Sequence, residues 1–320
     1  MPGDDNPEIR FGRRMLWRHV RAISFLITGV ASSCLAQSTA AFDWAAREPY
    51  RMIPNITYGI ANNYVLKLDV WQNKVLNGPL PTVVYIHGGG WIGVDRASTA
   101  PLLLPYLAMG WNAVNVEYRT AQVSLAPAAV EDCRCALRWV IRNAQQYHFD
   151  VNRLILSGNS AGGHLALMTG LLTPDAGLDS QCPGDEPLRV AAIVNWFGIT
   201  DVAKLLAGPN KQDYAVMWLG SRPDRIDLAK RVSPLTYVHP GAPPVITIHG
   251  DADPSVPYSQ AVRLHEALTK AGVPNELVTI SGGGHGSLTP NETRFAYGHI
   301  REFLEQRGLR SLESEMNSAR

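Results

Sequence analysis

Apolar residues fall in two rhythms along this chain, short continuous runs and longer stretches at helical spacing, and the two alternate from about residue 66 onward. Thr82–Ile86, Asn112–Val116, Arg153–Ser157, Ala191–Phe197, Pro244–His249 and Glu276–Ile280 are runs bounded by polar or turn residues. Such runs read as strands buried on both faces. Helices are expected between them, over Ala100–Met109, from Ala128 to about Gln145, after Gly163, over Tyr258–Ala271 and over Asn291–Gln306. In the second of these, Val130, Cys133, Leu137, Val140 and Ile141 share one face. Leu66–Val70 alternates instead and reads as an edge strand of a leading antiparallel pair. Strands that alternate with helices predict an α/β fold, a mostly parallel sheet with helices on both faces. One stretch breaks the rhythm. Residues 201–234 hold short helical pieces, Tyr214–Leu219 among them, interrupted by Gly and Pro, and read as a small cap-like insertion.

The N-terminus belongs to neither rhythm. Arg13, Arg14, Arg18 and Arg21 precede an apolar stretch from Ala22 to about Ala36, followed by small residues. A basic region, a short apolar region and a small-residue exit describe a secretory signal. The apolar stretch falls short of the roughly 20 residues that span a bilayer. Residues 1–36 are therefore read as a signal peptide and 37–320 as one domain, secreted or periplasmic. Arg13-Arg14 also loosely fits a twin-arginine signal, and Cys34 a lipid anchor.

Composition narrows the partners more than the fold. With 46% hydrophobic residues in 320, the chain can bury one large core. A formal net charge of +1 leaves no electrostatic footprint for nucleic acid. Cys133, Cys135 and Cys182 lack zinc-site spacing, so neither metal nor cofactor is expected. Three is an odd number, so at most one bridge can form among them. Cys133 and Cys135 lie two apart on an expected helix and point in different directions, which disfavours that pairing, and buried free thiols are the expected reading over a bridge.

The chemistry collects where strands end, which is where sheets of this kind bind ligands. Gly158-Asn159-Ser160-Ala161-Gly162 lies between the Arg153 strand and a helix. A serine at so sharp a turn needs small neighbours, and its hydroxyl projects above the sheet edge. Ser160 is the expected nucleophile. Gly88-Gly89-Gly90 follows the Thr82 strand, and glycines let backbone amides turn toward a bound carbonyl. Gly89 and Gly90, with the amide of Ala161, are the expected oxyanion donors. A phosphate-cradling loop would need a following Lys, which is absent.

His285, in Gly282–Gly286 after the last strand, is the expected base, and Asp253, in the turn after the preceding strand, the expected acid. The order Ser, Asp, His is that of an α/β hydrolase. Asp251 lies close enough to its strand to cap the turn instead, and His249 to support the loop. His87 reads as a structural hydrogen bonder and His164 as a packing histidine. Tyr118-Arg119 ends its strand and is expected to pair with Asp132 or Glu131.

With these residues assembled, the chain resembles an α/β-hydrolase-fold esterase from about Asn55 to its C-terminus. His87-Gly-Gly-Gly-Trp91 and Gly158-Asn-Ser-Ala-Gly-Gly163 resemble the hormone-sensitive-lipase-like carboxylesterases. His249-Gly-Asp-Ala-Asp-Pro-Ser-Val-Pro257 departs from that group and is similar to bacterial acetyl-xylan and feruloyl esterases and to prolyl-oligopeptidase-like hydrolases. The resemblance implies a serine esterase acting on short acyl or aromatic-acid esters, as small molecules or linked to polysaccharide. Trp91, Trp196, Phe197 and Trp218 are candidates for an apolar pocket wall. Two other readings stand beside the esterase: a peptidase or amide hydrolase, suggested by the acid loop, and a non-catalytic binding protein on the same fold.

Overall fold

The structure is a computed structural model and describes residues 49–93 and 95–310. The expected signal at 1–36 lies outside these residues. Eight strands form one sheet: β1 (Tyr50–Ala61), β2 (Tyr64–Asn73), β3 (Leu80–Ile86), β4 (Asn112–Val116), β5 (Phe149–Asn159), β6 (Ala192–Trp196), β7 (Val245–Gly250) and β8 (Asn275–Ile280). Their order across the sheet is β1-β2-β4-β3-β5-β6-β7-β8. β2 runs antiparallel to both β1 and β4, and every pair from β4 to β8 is parallel.

The continuous apolar runs are central because both their faces are covered. Val83, Val84, Tyr85 and Ile86 of β3 are all buried, as are all five residues of β4 and of β6. Helices Ala128–Arg142, Ala161–Leu171 and Ser259–Lys270 pack on one face, around Val84, Leu156 and Ile193. The Ala97–Ala108 segment and helix Pro290–Glu305 pack on the other, around Val83, Ile155 and Ile246. Thr289 caps that last helix through a reciprocal capping box with Glu292, which fixes where its first turn begins.

Two expectations change. The Leu66–Val70 run is not an edge strand: it lies in β2, between β1 and β4, and the edge is the longer β1. Leu66, Leu68 and Val70 are covered by helices on one face, and Asp69 is buried against Arg96 on the other, so alternation here records a polar contact rather than open solvent. The cysteines change as well. Cys135 and Cys182 form a disulfide, with Cα atoms 5.5 Å apart, while Cys133 stays a buried free thiol. Cys182 lies in an irregular stretch after the helix Ala161–Leu171, so no periodicity could bring it to Cys135. Arg134 and Arg138, on the same helix as Cys135, reach Asp179 and Glu186 and hold that stretch further.

Between β6 and β7 the chain leaves the sheet for two short helices, Asp213–Leu219 and Arg225–Arg231, and several single turns. The parallel strands fan out in opposite directions from β3 and β5: β4 lies outside β3, and β6 to β8 outside β5. The loops leaving β3 and β5 therefore part at their carboxyl ends and open a crevice.

Candidate active site

Ser160 alone joins β5 to the helix that begins at Ala161, with φ 55° and ψ −120°. This backbone region costs a residue with a side chain on the order of 1–3 kcal/mol and persists only where the surroundings impose it. Here they do. The Ser160 amide donates to the Trp196 carbonyl at 2.8 Å, and the Ser160 carbonyl accepts from the His164 amide at 3.0 Å. A Cβ on Gly162 would sit 2.0 Å from the Ile86 carbonyl oxygen, so only glycine lets the helix start this close to β3.

The turn aims Ser160 Oγ at His285 Nε2, 2.9 Å away, and His285 Nδ1 lies 2.7 Å from Asp253 Oδ2. A carboxylate at Nδ1 fixes the proton there, which leaves Nε2 bare to accept the serine hydroxyl. The Asp253 side chain is wholly buried and that of His285 one-quarter exposed. Burial works against the Asp253 charge. Hydrogen bonds from His249, His285 and the amides of Val256 and Ser255 outweigh it and hold the carboxyl well below the usual range. The two amides reach Oδ1 at 2.9 and 2.7 Å. Asp251 faces the other way and accepts from the Gly282 amide at 2.6 Å, which ties the acid turn to the histidine loop.

The glycine loop after β3 stands on the opposite side of Ser160. Gly89 and Gly90 have φ of 100° and 61°. Its back is braced: the Gly88 amide donates to Asn159 Oδ1 at 3.1 Å, and Tyr85 Oη donates to the same atom at 3.0 Å. Tyr118 Oη donates to the His87 and Gly88 carbonyls, and its ring stacks on His87 with centroids 4.3 Å apart. Burial drives His87 neutral, its pKa down to about 4. The Gly88 amide is thus committed, and Gly89 and Gly90 are the residues of the loop that line the cavity.

That cavity holds about 510 Å³. Trp196, Phe197, Tyr214, Leu102, Leu288 and Tyr297 give it apolar walls, and among its lining residues there is no Asp, Glu, Lys or Arg. Trp196 and Phe197 take the expected place. Trp91 and Trp218 do not: both are fully buried, stacked on each other at 4.2 Å, with Trp91 Nε1 donating to His164 Nδ1 at 3.1 Å. Both indoles pack against the His164 ring, in the core cluster and not on the cavity wall. His164 is buried with Nε2 against the Val232 carbonyl, and Arg119 meets Asp132 at 2.7 Å, one of the two partners expected for it.

Residues 68–268, more than half of the chain, match the BD-FAE family. The chain belongs to that family. Esterase LipQ of Mycobacterium tuberculosis is 31% identical over 229 residues, 68% of this chain and 53% of LipQ. The chain spans about half the length of the curated relatives it matches. Among solved structures, a truncated carbohydrate esterase from gut microbiota is similar with a TM-score of 0.70 and 26% identity, over 82% of this chain and 98% of that one. A thermophilic esterase of Thermogutta terrifontis, solved with propionate bound, gives 0.68 and 25%, over 82% and 96%. The fold is that of the α/β-hydrolase esterases.

Several residues of this BD-FAE site were silent in the sequence. Asn159 is one of the two unspecified positions of the Gly-x-Ser-x-Gly pentapeptide, yet its side chain anchors the glycine loop. Tyr214 comes from the short helix Asp213–Leu219 of the insertion, which the sequence marked as helical without pointing it at the site, and its hydroxyl donates to the Ser255 carbonyl at 2.9 Å. Burial, aided by the Asp253 charge, raises that hydroxyl's pKa and keeps it a donor. Thr293 and Tyr297 reach the cavity from the last helix, where a spacing of four puts them on one face.

Proposed function

We propose that this protein is a serine carboxylesterase that cleaves short acyl or aromatic-acid esters through an acyl-enzyme on Ser160. The observation that carries the reading is the hydrogen-bonded line from Ser160 Oγ through His285 to Asp253, at 2.9 and 2.7 Å. His285 takes the serine proton as Oγ attacks the ester carbonyl, then returns it to the leaving alcohol. Asp253, held as an anion, stabilises the imidazolium formed between these steps. The amides of Gly89, Gly90 and Ala161 receive the oxyanion, and one such donor is worth about 3 kcal/mol in the transition state. Water then repeats the cycle on the acyl-enzyme.

The aromatic, uncharged cavity wall supports neutral acyl groups over peptides, whose charged termini would find no counter-ion there. Propionate in the Thermogutta esterase and the name of the gut carbohydrate esterase point the same way, toward small acyl groups carried on sugars. Residues 201–234 act as a partial cap, a reading supported by Tyr214 on the cavity wall. The Cys135–Cys182 disulfide supports export to an oxidising compartment, and among the described residues no helix is long and apolar enough to cross a membrane.

Hydrolysis of p-nitrophenyl esters from acetate to palmitate, plus a feruloyl ester, tests the assignment. Turnover concentrated at acetyl and butyryl, or extending to feruloyl, is expected. A protein whose Ser160 reacts with a fluorophosphonate but which cleaves none of these esters would displace this reading in favour of an amide hydrolase.

A further inference from the structure

The acid of the site has a second histidine behind it. His249, in β7, is fully buried, with Nε2 3.0 Å from the Val256 carbonyl oxygen and 3.3 Å from Asp253 Oδ2. Both of those oxygens can only accept, so the ring proton sits on Nε2. Nδ1 is correspondingly bare: it is buried and has no hydrogen-bond partner among the described residues. The ring is enclosed edge-on by Phe197 and Tyr258, at 6.5 and 5.6 Å between centroids, and Asp253 is the charged group it faces. The N–H therefore meets the far end of the acid turn at Val256 while standing 3.3 Å from the carboxylate that the turn carries.

We propose that His249 is a positioning residue for Asp253, an inference that rests on the Ser160–His285–Asp253 reading above. Asp253 Oδ2 has to present a lone pair to His285 Nδ1, and an Asp side chain can swivel about its terminal torsion. Ser255 and Val256 hold Oδ1 from one side. His249 holds Oδ2 from the other, so the carboxylate plane is pinned at both oxygens and His285 meets it at a set angle. The same N–H withdraws part of the carboxylate's charge.

Ser160 labelling by a fluorophosphonate, followed against pH on the full chain, tests this without relying on any ester, so the two readings fail separately. His249→Phe keeps a buried ring and removes the donor; His249→Asn removes the reach; His249→Gln restores an amide N–H at similar reach. In the first two, labelling at neutral pH is expected to slow by about ten- to a hundredfold, the scale of one hydrogen bond to a charged group. The pH midpoint of labelling should rise, because Asp253 stripped of a donor holds the imidazolium more firmly. His249→Gln should recover most of the rate and the midpoint. Wild-type rate and midpoint in either the Phe or the Asn variant overturns the proposal. So does a loss that His249→Gln repairs no better than His249→Phe, since that is the behaviour of a merely space-filling ring.

Discussion

At the scale of single residues, the site depends on backbone conformations that side chains normally avoid. Ser160, the proposed nucleophile, stands in such a conformation, which its backbone contacts to Trp196 and His164 hold without the hydroxyl. Ser160→Ala is expected to lower kcat on a reactive p-nitrophenyl ester by roughly 10⁶ and to leave the far-ultraviolet circular dichroism unchanged. Activity within tenfold of wild type would remove Ser160 from the mechanism. Gly90 is the more sensitive neighbour. Its φ is 61°, and a Cβ there would lie 3.0 Å from Tyr214 Cβ. Gly90→Ala should therefore both strain the loop and press on the cavity wall, with kcat falling about a hundredfold or more, as for a lost oxyanion donor. The double variant Gly90→Ala/Tyr214→Gly removes the contacted Cβ and relieves only the contact, leaving the positive φ at residue 90. Recovery of full activity in it would mean that crowding, and not the amide geometry, is what Gly90 protects.

At the scale of elements, the two ends of the sheet have separate duties. The loops at the carboxyl ends of β3, β5, β7 and β8 supply the glycine loop, Ser160, Asp253 and His285. The opposite end carries the disulfide and its arginine contacts, in the stretch that leads from the helix Ala161–Leu171 into β6. Cys135 and Cys182 are 47 residues apart, and closing a loop of that length in the unfolded chain is worth up to about 4 kcal/mol. Cys182→Ser should lower the denaturant midpoint by a corresponding amount while kcat/KM at 25 °C stays within about twofold, because the tether is remote from the cavity. An equal loss of catalysis and stability would show that the two ends communicate.

At the scale of the whole molecule, burial of neutral histidines sets how folding responds to acid. His164 donates from Nε2 to the Val232 carbonyl and accepts at Nδ1 from Trp91, so neither nitrogen has room for a second proton. Burial lowers its pKa to about 4, and that of His87 to about 4 as well. The unfolded chain takes up these two protons near pH 6.5, whereas the folded protein resists until about pH 4. Stability therefore falls as pH drops through that window, by roughly 3 kcal/mol for each ring. Asp253 adds to the loss only at lower pH, since its depressed folded pKa stabilises the fold above the unfolded carboxylate value. Urea midpoints measured from pH 7.5 to 4.5 should decline steadily; a flat profile would contradict two buried neutral rings.

What the sequence determined by itself is whatever depends on neighbours along the chain. The parallel strands were legible because burial on both faces demands continuous apolar runs, and Ser160, His285 and the glycine loop because each stands at the end of such a run in a turn that restricts residue choice. That Asp253 rather than Asp251 meets His285 was legible for a similar reason, the distance of each from its strand. Only the tertiary structure decided what depends on distant segments meeting. It joined Cys135 to Cys182, moved Trp91 and Trp218 from the pocket wall into the core, covered β2 with β1, and brought Tyr214, Asn159 and His249 to the site. Indoles, amides and thiols fit core, loop and cavity equally well by composition, and which of these they occupy is set by the packing of elements that the local pattern leaves free to choose their neighbours.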